Sequence, residues 1–118
     1  MSAEAVIFST LTGFVSGRVY PDVAPAAAAL PRIVYQQVGG VSDVFLDNTF
    51  PDKENGRFQV TSWAATRLAA MALAKQVEAA LVGSASITCR PVGARVSGYE
   101  PDTALFSSRQ DFSIWSTR

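Results

Sequence analysis

A strand-like run that passes straight into a long alanine-rich helix constrains this chain more than any other feature. In Arg57-Phe58-Gln59-Val60-Thr61-Ser62-Trp63 the residues alternate, with Phe58, Val60 and Ser62 on one face and Arg57, Gln59, Thr61 and Trp63 on the other. From there to Val82 the spacing predicts the one long helix. Ala69, Leu73, Val77 and Ala80 lie along one side, flanked by Ala70 and Leu81, and Arg67, Lys75 and Glu78 gather on the other. Gly83 ends it, where a left-handed cap costs a glycine little. Alanine at inward positions lets strands approach the helix backbone closely. The helix is therefore read as a clamp over one face of a sheet.

The remaining elements follow from local chemistry. Residues 2–15 predict a first helix with Ser2 as its cap and Ala5, Val6, Phe8, Leu11 and Val15 near one side. Arg18-Val19-Tyr20-Pro21 is extended, because proline pushes the residue before it out of the helical region. Pro25 and Pro31 bracket Ala26-Ala27-Ala28-Ala29-Leu30 so tightly that an irregular connection is expected there. Residues 32–38 read as a strand by β-branched and aromatic content, Gly39-Gly40 permits a bulge or turn, and residues 41–45 continue the strand. After the long helix, residues 86–90 form a strand with Ile87 and Cys89 on one face. Pro91 interrupts it and residues 92–96 extend it. A turn over 98–102 leads to a last strand over 104–115, with Phe112 and Ile114 opposed to Asp111, Ser113 and Trp115.

This order gives a single α+β domain over residues 1–118: an antiparallel sheet of about four strands, two helices packed on one face, and a long β-hairpin arm. The sheet face carrying Trp63 and Trp115 is expected to lack helix cover. Trp115 there belongs either to an interface or to a satellite cluster.

Composition removes most chemistry. The chain has 118 residues, no histidine and one cysteine, Cys89. An intramolecular disulfide, a thiolate metal cluster and every Ser-His or Cys-His arrangement are thereby excluded. Ten basic and ten acidic side chains cancel, so the basic surplus of a phosphate-gripping domain is missing. No glycine-rich phosphate loop is present. Asp43, Asp47, Asp52 and Glu54 lack the spacing of a calcium loop and are read as a solvated acidic tip. Arg90, Arg95 and Arg109 are expected to pair with Asp102 and Asp111. No signal peptide or membrane span is evident, so a protein made in the cytoplasm with no catalytic residue, metal or cofactor is expected.

The segment 46–56 is turn chemistry throughout, yet Phe45, Leu46 and Phe50 stand in or beside it. It is either a hairpin tip folded back on the sheet or a projecting arm that docks on another subunit. The interface candidates are Val41, Phe45, Leu46, Asp47, Phe50, Asp52, Glu54 and Trp115.

Read in order, the chain resembles the tail-completion, or head-to-tail joining, proteins of long-tailed bacteriophages and prophages. The resemblance is carried by Arg18-Val19-Tyr20-Pro21-Asp22 with Pro25, then Pro31-Arg32-Ile33-Val34-Tyr35-Gln36. It continues with Arg57-Phe58-Gln59-Val60-Thr61-Ser62-Trp63-Ala64 leading into the helix, and Asp111-Phe112-Ser113-Ile114-Trp115. The Ala26 to Leu30 run stands as an insertion against that pattern. The resemblance implies a structural virion protein that assembles as a ring, typically hexameric, on the head-proximal end of the tail tube. Such a ring ends tube polymerisation like a tail terminator and meets the connector proteins of the head, and DNA crosses its lumen without being held. A small cytoplasmic α+β ligand-binding or dimerisation module is the alternative of another class.

Overall fold

The computed structural model describes residues 2–118. Helix α1 (Ala3–Leu11) begins where the Ser2 hydroxyl accepts a hydrogen bond from the Ala5 amide at 3.1 Å, and a 3-10 turn (Thr12–Phe14) follows. Strand β1 (Val19–Pro21) precedes β2 (Arg32–Gly39), β3 (Lys53–Ala64), helix α2 (Arg67–Val82), β4 (Thr88–Glu100) and β5 (Leu105–Thr117). One five-stranded sheet has the order β1-β2-β3-β5-β4. The β1–β2 pair is parallel and the other pairs are antiparallel.

The α+β class and the helices on one face agree with the sequence reading, but the sheet is mixed and holds five strands rather than about four. The added strand is β1, whose three residues are too few to show a period. It is held by pairing with β2, by the Ile33 amide donating to the Arg18 carbonyl at 2.9 Å, and by Arg18 Nε donating to the Pro31 carbonyl at 2.8 Å.

Alternation in β3 and β5 sends Phe58, Val60, Ser62, Gln110, Phe112 and Ile114 under the helices, while Gln59, Thr61, Trp63, Asp111, Ser113 and Trp115 face away. Phe112, Ile114, Ile33, Ile7, Leu11 and Leu81 are completely buried and form the centre of the core. Removing that apolar area from water is the main stabilising term of such a domain. The Thr66 hydroxyl caps α2 by accepting from the Ala69 amide at 3.1 Å.

Several local expectations are corrected. The first helix stops at Leu11 rather than Val15; Val6, Ile7 and Leu11 point inward, and Ala5 and Phe8 are exposed. Residues 41–45 do not extend β2, because the bulge between Gln37 and Gly39 and the extended positive-φ backbone of Gly39 and Gly40 turn the chain away. Gly40 is also packed so closely that a Cβ there would lie 2.6 Å from the Asn55 carbonyl oxygen. Strand β4 runs through Pro91 to Glu100, so the turn is 101–104, not 98–102, and β5 covers Leu105–Thr117. Pro91 is accommodated because β4 is the sheet's edge. Just beyond it Gly93, Ala94 and Arg95 stand against Gln110 alone, a wide irregularity in the ladder.

Helix α2 is turned slightly from the predicted orientation. Ala70, Leu73, Ala74, Val77 and Leu81 are buried, whereas Ala69 is exposed. Glu78 also leaves the outer side: its carboxylate accepts from Gln110 Nε2 at 2.6 Å and pairs with Arg95 at 3.6 Å. Gln110 Nε2 donates as well to the Gly93 carbonyl at 3.0 Å, which ties the irregular part of β4 to β5.

Candidate functional site

The open sheet face is polar between its two tryptophans. Arg57 Nη2 lies 2.8 Å from Asp111, Gln59 Nε2 donates to the same carboxylate at 3.3 Å, and Asn55 Nδ2 donates to the Ser113 hydroxyl at 2.9 Å. Asp111 thus pairs with Arg57 rather than with Arg90, Arg95 or Arg109. The ion pairs among the described residues are Arg57–Asp111 and Arg95–Glu78, so Asp102 is not paired as expected. Register explains the first: Arg57 is opposite Ser113 and diagonal to Asp111 on the same face. No helix covers this face, as anticipated, and Trp115 is 39% exposed on it.

The eight interface candidates gather at one end of the molecule. Between Gly39 and Lys53 the chain leaves the sheet as an arm. Its tip is an ordered turn in which the Asn48 amide donates to the Phe45 carbonyl at 2.9 Å and the Phe45 amide to the Thr49 carbonyl at 2.8 Å. Asp47 organises the turn by accepting from the Thr49 hydroxyl at 2.6 Å and the Thr49 amide at 3.1 Å. Those two bonds, the hydroxyl's first, hold the Asp47 carboxyl below its usual range. The base is fixed by the Val41 amide donating to Asn55 Oδ1 at 3.0 Å and the Arg118 amide donating to the Asp52 carbonyl at 2.9 Å. The Arg118 guanidinium lies 4.3 Å from the centre of the Phe50 ring.

The apolar arm side chains do not fold back. Val41, Val44, Phe45 and Phe50 are each more than half exposed, and Leu46 is wholly so. Glu54, the second residue of β3, lies opposite Ser116, and Trp115 stands one position further on, opposite Asn55. The molecule measures 52 × 26 × 24 Å.

At the other end lies an apolar groove of about 420 Å³, between the start of α2 and the connection into β2. Ala64, Ala65, Ala69, Ala72 and Leu73 form one wall, and Phe14, Leu30 and Pro31 form the other. Sequence reasoning missed it because Ala69 was assigned inward. The available signal was the proline-bracketed Ala26 to Leu30 run, whose last residue lines the groove. A smaller cavity of about 300 Å³ on the open face is lined by Asp22, Arg32, Gln36, Gln59 and Trp63 among others. Neither offers an arrangement for acid–base or nucleophilic chemistry, and among the described residues no three acidic or thiol side chains converge. Cys89 is buried, and burial pushes its thiol up to about 11. Among the described residues no helix is long and apolar enough to cross a membrane.

Residues 8–117 match the family described as Tail completion protein gp17. The chain belongs to that family. Membership places this tail-completion protein among structural components of phage-type virion assembly. Its fold is also similar to a chain in a solved structure titled "Virion of native gene transfer agent (GTA) particle". That similarity has a TM-score of 0.63 at 19% identity and covers 99% of this chain and 96% of the other. At that identity the likeness speaks for the fold alone. No curated protein matches the sequence.

Proposed function

We propose that this tail-completion protein is the subunit of a ring, hexameric as the resemblance implies, that closes the head-proximal end of a tail tube and joins it to the head connector. Its work is geometric and involves no catalysis. The observation that carries the reading is the arm: an ordered, tethered projection that leaves Phe45, Leu46 and Phe50 each more than half exposed. Exposed apolar side chains rimmed by carboxylates mark a surface that another protein covers. Val41, Phe45, Leu46, Asp47, Phe50, Asp52, Glu54 and Trp115 are assigned to that contact. Zero net charge suits a lumen through which DNA passes without being held.

The test is a deletion confined to residues 43–49, closed with a short glycine linker. A longer deletion would remove Lys53 to Asn55, which pair with β5. Circular dichroism and thermal melting should show a folded monomer. Electron microscopy of the variant with purified tail tubes should show no terminal ring and no joining to heads. Joining at the wild-type level would defeat the reading.

A further inference from the structure

Resting on the ring proposed above, we infer that the arm of one copy seats in the apolar groove of the next, so that each subunit carries both halves of a head-to-tail contact. Three observations support this.

The first is complementarity of character. The arm tip offers Val44, Phe45 and Leu46 to solvent, and the groove offers alanine, leucine, proline and phenylalanine carbon. A volume of about 420 Å³ falls within the roughly 300–1,000 Å³ of ordinary binding clefts. Its alanine wall lets an incoming segment approach the α2 backbone.

The second is charge. The tip carries Asp43 and Asp47 and no basic residue. Beside the groove stands Arg18, which donates to the carbonyls of its lining residues Leu30 and Pro31. Arg18 forms no ion pair among the described residues. Asp47 is held ionised by its Thr49 bonds and so presents a fixed negative charge.

The third is reach. Arm and groove lie at opposite ends of β3, and Lys53 and Ala64 are separated by roughly 37 Å at the usual strand rise. The arm is pinned at its base and its tip is fully exposed, so the groove of the same chain stays unfilled by it. A second copy can fill it. Such a heterologous contact closes into a ring when the rotation between copies allows.

The test pairs two variants, Leu46→Cys and Ala69→Cys, each keeping the buried Cys89. Equal amounts are mixed with tail tubes, oxidised, and run on a denaturing gel without reductant. A disulfide-linked dimer is expected only in the mixture, and the doubly substituted chain should give a ladder of covalent oligomers. Terminal rings without a 46–69 link would overturn the groove assignment and leave the ring standing. The groove assignment falls in the same way if Leu46→Cys links to itself, to the tube protein, or to a Ser113→Cys control on the open face. Absence of any ring on the wild-type tubes would remove the ring reading and this inference together.

Discussion

At the level of single residues, the chain's chemistry is set by what burial does to it. Cys89 points into the core between β4 and α2, and its thiol titrates near 11 instead of at its usual value of 9.0. A folded-state value above the unfolded one means that folding favours the protonated thiol. The associated stability is complete below pH 9 and is lost as pH rises through 11. Tyr35, raised by burial and then by Glu4, acts in the same direction. Urea midpoints should therefore fall between pH 9 and pH 11, and Cys89→Ala should flatten part of that slope. At neutral pH the native thiol should resist aromatic disulfide reagents until the chain unfolds. The place of Cys89 was legible because alternation with Ile87 across Thr88 marked it as inward. The partner of Asp111 was not, since Arg57 lies far away in sequence and only the β3–β5 register brings the two together.

Elements were readable where their period was long. Strand β3, helix α2 and the inward face of β5 follow from alternation and helical spacing, and the structure keeps these elements, although β3 begins at Lys53, inside the segment read as turn, and α2 turns Ala69 outward. What failed was short or cooperative. Strand β1 has three residues and exists through its partner, and the exact turn of α2 about its axis depends on Gln110 of a distant strand reaching Glu78. That contact gives an energetic prediction. Glu78→Ala strips a buried amide of its shorter bond and Arg95 of its carboxylate, and should cost about 1–3 kcal/mol of unfolding free energy. Arg57→Ala breaks an exposed pair on the open face and should cost about 0–1 kcal/mol. Denaturant titrations of the two variants should rank them in that order.

For the whole molecule, the arm was half legible. Its apolar residues stood out among turn formers, and two readings of them remained until the structure showed Leu46 fully exposed. The groove was invisible, because its walls come from three separate stretches that meet only after folding. If charge guides the arm to its seat, Asp43→Lys should weaken assembly on tail tubes most at low ionic strength. Sedimentation or light scattering across a salt series should show the variant and wild type converging as salt is raised.

The irregular outer strand has a consequence for how such a subunit is stored before use. Pro91 and the irregularity at Gly93 to Arg95 break up the amide row along β4, and the opposite margin is only the short β1. Both borders are thereby poor templates for another chain's backbone, and free copies should resist zipping into fibres even where they accumulate. In the ring proposed above, recognition would then fall to side chains, and binding of that kind can be undone and retried until every neighbour sits correctly.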